Sequence, residues 1–212
     1  MLKSAPKFLF LLLLSSLVSA QGLKIKNTGT QTFYFNDPQK RNQATFHSSM
    51  TLLDLKGTAD DISGQVSFDP SDFAKTLKGK IAVKVESINT GIELRNHHMK
   101  SANWLNAEEY PDLTFEIKSV SDLKSTADNK LSFKATGDYS MHGVTKEITA
   151  DADVTYLEES EQTMKRAPGN LLGVHAKFYV KLSDYGIENQ LIGNKIADNI
   201  EVEVNIVGSD KK

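Results

Sequence analysis

The chain has 212 residues, 25 Lys and Arg against 27 Asp and Glu, and no cysteine, which excludes a catalytic thiol, a thiolate metal site and a lipid-modified cysteine anchor. The two charge signs are interspersed, so there is no basic face to engage the phosphates of a nucleic acid. The length suits one substantial core.

The N-terminus reads as a secretory signal peptide over residues 1–20. Lys3 and Lys7 precede the apolar run Phe8 to Leu14, and Val18-Ser19-Ala20 offers a small-residue cleavage site. The run is too short for a permanent membrane anchor. Cleavage after Ala20 leaves Gln21 to Lys212 as a single domain of 192 residues with 23 basic against 27 acidic side chains, net −4. No Asn is followed at +2 by Ser or Thr, so N-glycosylation is not indicated and a bacterial periplasm or secreted milieu is expected.

From Thr45 onward the chain alternates with period two, as strands with one buried and one wet face do. Phe46, Ser48, Met50 and Leu52 face inward against His47, Ser49 and Thr51. The same pattern places inward Ile81, Val83 and Val85, then Leu113, Phe115 and Ile117. It continues with Leu131, Phe133, Ala135 and Tyr139, and with Ile148, Ala150, Ala152, Val154 and Tyr156. Val174, Ala176, Phe178, Val180 and Leu182 come next, and Ile200, Val202, Val204 and Ile206 close the series. Parallel sheets covered on both sides read as continuous apolar runs instead, so the expected sheet is antiparallel. Seven or more long one-sided strands hide their apolar face and lose their edges best in a closed barrel; a two-sheet sandwich is the competing arrangement.

Turns are expected at Asp69-Pro70, Ala127-Asp128-Asn129, His142-Gly143 and Pro168-Gly169. Alternation fails between Ser87 and Pro111, where helix-forming residues and a possible Thr90 cap predict one or two short helices with a loop. The polar stretch Glu158 to Asn170 reads as a mobile hairpin loop.

Phosphate-binding glycine loops, nucleophile elbows and zinc-protease motifs are absent from the sequence. No metal site is expected. His47 and His175 point outward on the strand pattern, adjacent His97 and His98 diverge on any helix, and His142 reads as a turn residue bonding a backbone carbonyl. Glu108 and Glu109 read as a solvated turn, and a hydrolase would have to be assembled from His97, His98 and Glu108. No enzymatic activity and no cofactor are therefore expected.

The inward positions carry the more specific signal. Ser48, Ala135, Gly137, Ala150, Ala152 and Ala176 are small, and a filled small barrel needs bulk in each layer. Either aromatics from facing strands fill the space or an elongated apolar cavity remains. Such a cavity would be lined by Phe46, Ile81, Val83, Phe115, Phe133, Tyr139, Ile148, Ala152, Val154, Tyr156 and Phe178, and would hold a hydrocarbon chain at about 0.8 kcal/mol per buried CH₂.

An ordered set of motifs resembles one family. Phe68-Asp69-Pro70 is followed by Val85-Glu86-Ser87-Ile88-Asn89-Thr90-Gly91, by Leu94-Arg95-Asn96-His97-His98-Met99-Lys100-Ser101, and by Trp104-Leu105-Asn106-Ala107-Glu108-Glu109-Tyr110-Pro111. Gly137-Asp138-Tyr139-Ser140-Met141-His142-Gly143 and Leu182-Ser183-Asp184-Tyr185-Gly186 complete it. The set is similar to that of the YceI family of lipocalin-like periplasmic or secreted proteins. The resemblance implies an all-β, antiparallel eight-stranded barrel with a short α-helical insertion near Arg95, frequent homodimers, and a bound polyisoprenoid, isoprenoid quinone or similar long-chain lipid. Asn96 stands where the family commonly has Asp, and Trp104 where Phe is more usual. Loss of that carboxylate leaves Arg95 free for a ligand head group, paired elsewhere, or bonded to loop carbonyls. Arg95 and Trp104 thus join the expected ligand-binding set. A non-binding interaction module with a packed interior is the alternative.

Overall fold

The structure is a computed structural model that describes residues 22–212. The signal peptide expected over residues 1–20 lies outside the described residues. Ten strands form one antiparallel sheet: β1 (Gln31–Tyr34), β2 (Gln43–Met50), β3 (Leu53–Ala59), β4 (Ile62–Phe68), β5 (Lys78–Lys84), β6 (Asp112–Ala127), β7 (Lys130–Met141), β8 (Val144–Leu157), β9 (Leu171–Lys181) and β10 (Asn199–Ser209). Their order is β1-β4-β5-β6-β7-β8-β9-β10-β2-β3, with a further β1–β10 pairing. Eight strands therefore close into a ring, and the β2–β3 hairpin attaches to the other half of β10.

Closure between β1 and β10 rests on the single pair Tyr34↔Ser209. Further along β10, β2 takes over the wall through five pairs from Glu201↔His47 to Asn205↔Gln43. The free edge of β3 meets an isolated bridge, in which Thr58 and Asn89 exchange both backbone hydrogen bonds at 2.8 Å. Beyond that bridge the outer edge of β3 pairs with no other strand among the described residues.

The alternation in the sequence is realised as two faces. Along β7, every second residue from Leu131 to Met141 is buried. Outside, Lys and Asp or Glu face each other across strands, as in Lys134–Asp151 at 2.7 Å and Lys80–Glu116 at 3.7 Å, contacts of small individual worth that keep the outer wall soluble. His142 and Gly143, both with positive φ, make the two-residue β7–β8 turn. His142 Nδ1 lies 3.1 Å from the Tyr185 carbonyl, the turn role its position suggests.

One end of the barrel is plugged by aromatic rings. Phe33 stacks on Phe68 at 5.7 Å, Phe68 meets Phe73 at 4.9 Å, Phe73 meets Phe133 at 5.2 Å, and Phe33 meets Tyr156 edge-on at 6.2 Å. Phe73 is delivered by a short helix, α1 (Phe73–Thr76), that follows the Asp69-Pro70 turn. The same end carries a charge cluster around the nearly inaccessible Asp37 carboxylate. Arg41 and Arg166 both clasp Asp37, at 3.0 and 2.6 Å, and Arg166 also donates to Asn42 Oδ1 at 2.8 Å. Burial alone would raise the Asp37 pKa; hydrogen bonds from the two guanidinium groups and two backbone amides reverse this and hold it well below the usual carboxylate range.

This cluster corrects the expectation of a mobile 158–170 loop. Arg166 anchors the segment to Asp37, Asn170 bonds both carboxylate oxygens of Asp210, and Ser209 Oγ donates to the Pro168 carbonyl. The loop is a fastened cover.

Candidate functional site

Between the aromatic plug and the opposite end lies an apolar cavity of about 530 Å³. It exists because a belt of alanines runs around one side of the wall. Ala135 faces Ala150, Ala152 faces Ala176, and Ala44 and Ala176 both face Val204. Five small side chains in adjoining strands pull the surface back from the axis. The opposite wall supplies Val66, Ile81, Val83 and Phe115. Phe115 stacks on Phe178 at 6.5 Å, and Tyr139 meets Phe178 and Tyr185 at 5.4 and 5.7 Å.

Glycine shapes the wall at one further point. A Cβ at Gly57 would lie 2.3 Å from the Phe46 ring and 2.9 Å from the Asn89 carbonyl oxygen. Only glycine lets Phe46 lie flat on β3 while the Asn89 bridge approaches behind it.

Eleven of the thirteen expected ligand-binding side chains border this space: Phe46, Ile81, Val83, Phe115, Phe133, Tyr139, Ala152, Val154, Phe178, Arg95 and Trp104. Ile148 and Tyr156 do not. Ile148 faces Gly137, over which the Phe115 ring lies, and packs in the cluster around Tyr139. Tyr156 sits inside the aromatic plug against Phe33, beyond the floor of the cavity. Inward parity was right for both; height along the barrel excludes Tyr156, and the Phe115 ring screens Ile148.

The mouth is built from three irregular elements. One is the β2–β3 turn with Leu53. The second is helix α2 (Glu93–Lys100), which contributes Leu94, Arg95, His98 and Met99, preceded by Ile92. The third is the loop carrying Leu191, Lys195 and Ile196. Leu52, expected as an inward strand residue, lies instead at the turn beyond the end of β2 and is almost wholly exposed.

Helix α2 has no side-chain N-cap, and Thr90 does not serve as one. Instead, the Thr90 N–H and hydroxyl both donate to Asn96 Oδ1, at 2.7 and 2.8 Å, while Asn96 Nδ2 donates to Asn89 Oδ1 at 3.0 Å. Asn96 thus ties the helix to the Asn89 bridge that seals the barrel seam, and does not face Arg95 as a partner. Half-buried Arg95 makes no side-chain hydrogen bond or ion pair among the described residues, so of the three possibilities raised for it only the free guanidinium is realised.

Charged or polar lining is confined to few positions. Arg95, His98 and Lys195 border the cavity at its mouth, and no Asp or Glu among the described residues does so. Deeper in, Ser48 is buried and its Oγ accepts the Ala197 N–H at 2.8 Å. Burial raises the Tyr139 phenol above its ordinary pKa, with neighbouring Tyr185 adding to the effect, so it stays neutral. Glu108 is exposed and is not among the cavity residues. No group of three or more His, Asp or Glu suited to a metal ion occurs among the described residues.

Residues 34–208 match the YceI-like domain. The chain belongs to the YceI family. Protein YceI of Escherichia coli is 29% identical over 158 residues, covering 74% of this chain and 75% of that protein. A UPF0312 protein of Pseudomonas putida is 31% identical over 160 residues, with the same coverage of each chain. Among solved structures, Burkholderia cenocepacia BcnA superposes with a TM-score of 0.61 at 19% identity, covering 79% of this chain and 96% of that one. A polyisoprenoid-binding domain from Saccharophagus degradans, implicated in plant cell wall breakdown, superposes with a TM-score of 0.62 at 16% identity over 85% and 99%. These likenesses establish the YceI barrel. Rim residues such as Leu191 and Lys195 lie on a loop, where no periodicity could reveal them; the one available signal was the apolar pair Leu191-Ile192 in a polar stretch.

Proposed function

We propose that this YceI-family chain is an extracytoplasmic, non-enzymatic carrier or sequestering protein that holds one long-chain amphiphile, a polyisoprenoid or isoprenoid quinone, in the barrel. The observation that carries this reading is the cavity itself: apolar along its length, closed by rings at one end, and opening at the other beside Arg95, His98 and Lys195. At about 30 Å³ per water-sized group, 530 Å³ accommodates a chain on the order of fifteen to twenty carbons. The mouth leaves room for a longer tail or a polar head to extend outward. The polyisoprenoid-binding neighbour supports the same ligand class by fold alone. Against the packed-interior alternative stands the apolar space that remains even though Phe115 and Phe178 stack between facing walls.

The reading includes the leader over residues 1–20, a single domain after it, and a periplasmic or secreted location. None of the helices among the described residues is long and apolar enough to cross a membrane. A homodimer belongs to the same proposal. The test is mass spectrometry of lipid extracted from protein purified from its native source. A stoichiometric isoprenoid lipid is expected; protein that is empty and also refuses added isoprenoid quinone refutes the proposal.

A further inference from the structure

Eight large apolar residues are exposed among the described residues; four of them, Leu53, Ile92, Leu94 and Leu191, border the mouth of the cavity, and a fifth, Leu52, stands beside Leu53 at the β2–β3 turn. They come from three elements remote in sequence. Chance scatter of surface leucines does not explain such convergence, and a contiguous exposed apolar patch marks an interaction site. Leu52 is the clearest case. It is 96% exposed at a two-residue hairpin turn, a position that ordinarily takes Gly, Asn or Asp. The fold makes no use of its side chain.

The charges of the patch select the partner. Of the three arginines, Arg41 and Arg166 both engage Asp37, whereas Arg95 is without a partner among the described residues. Lys195 is likewise exposed and unpaired there. The nearby carboxylate of Asp54 is engaged by Ser49, at 2.7 Å, on the outer side of the hairpin. Glu93, exposed between Ile92 and Leu94, and exposed Glu188 do not line the cavity. Leucines projecting from a rim that also bears free cations match the boundary layer of an anionic bilayer, where apolar groups enter the acyl region and cations meet head groups.

We propose that the mouth docks on an anionic membrane surface, with Leu52, Leu94 and Leu191 inserted and Arg95 and Lys195 on the head groups, so that an amphiphile passes between bilayer and barrel without crossing water. This rests on the carrier reading for its purpose, but docking is measured without cargo. Protein is sedimented with sucrose-loaded vesicles of phosphatidylglycerol and phosphatidylethanolamine, or of phosphatidylcholine, all lacking isoprenoids. The wild type should partition to the anionic vesicles, weakened by added salt. Leu52→Ser, outside the cavity and fully exposed, should lower partitioning about tenfold while leaving the thermal midpoint and the uptake of quinone from detergent unchanged. Arg95→Gln with Lys195→Gln should abolish the preference for anionic over neutral vesicles.

Absence of vesicle binding by the wild type, or equal binding by Leu52→Ser, overturns docking. So does a wild-type dimer that Leu52→Ser dissociates without any change in vesicle binding, which would make the patch a contact between copies. A protein that docks but never takes up lipid upholds this inference and refutes the carrier reading.

Discussion

Ala152→Trp tests the cavity at the alanine belt. Ala152 is buried on β8 between Phe133 and Ala176 and borders the space directly. An indole in place of the methyl group adds roughly 150 Å³, about five water-sized volumes, against the 530 Å³ available. A lipid tail excluded from that volume loses about five buried methylenes, or about 4 kcal/mol at 0.8 kcal/mol each. That is roughly a thousandfold weaker binding. Overpacking costs about 1–3 kcal/mol of stability, or about 2–4 °C in Tm for each kcal/mol, which leaves the barrel folded. The assay is quinone titration followed by quenching of intrinsic fluorescence alongside a thermal melt. Undiminished affinity with a normal melt would refute the assignment of Ala152 to the ligand-bearing wall.

Asp37→Asn should destabilise the protein by about 1–2 kcal/mol, because it removes the charge-assisted hydrogen bonds that the partly exposed Arg41 and Arg166 make to a nearly inaccessible carboxylate. The native pKa of Asp37 is depressed, so its contribution is fully present above the unfolded value of about 3.9 and is lost as pH falls toward the native one. The gap between wild type and variant in urea unfolding should therefore be wide at pH 7 and narrow at pH 3. Tyr156→Phe should leave stability unchanged or raise it by up to about 1 kcal/mol, since the Tyr156 hydroxyl is buried with no hydrogen-bond partner; a loss of more than that would reveal a partner for it. Asn96→Ala should speed hydrogen exchange at the Thr90 amide, measured by mass spectrometry, because its acceptor is removed; unchanged protection would deny Asn96 its anchoring role.

The long strands were legible because their inward residues are large enough to register as alternation. Leu131 to Met141 and Val174 to Leu182 are examples. Three strands escaped notice for a physical reason. The inward face of β3 ends in Gly57 and Ala59, and β4 carries Gly64 near its start, so the backbone runs as strand while the apolar signal fades. β1, only four residues long, offers too few positions to show a period. At the site, parity identified which side chains face the axis, but could not say that Tyr156 sits below the floor or that Phe115 screens Ile148. Those facts depend on height and on ring orientation, which arise only when strands are staggered around a barrel. The mouth was the least legible part. Its residues come from a turn, a helix and a loop whose meeting is decided by topology, although the Asn96 departure did point to the segment that mattered.

The seam of the barrel has a temporal consequence. Both partners that complete the wall, Tyr34 and the β2 strand, wait for β10 (Asn199–Ser209), the last strand among the described residues. The ring cannot close until β10 arrives, and the Tyr34–Ser209 pair that then forms joins segments far apart in sequence, a kind of contact that slows folding. Until β10 is made, the ring of a nascent chain stays open. For a protein that we infer must thread through a membrane before it works, lateness of this kind keeps it competent to pass.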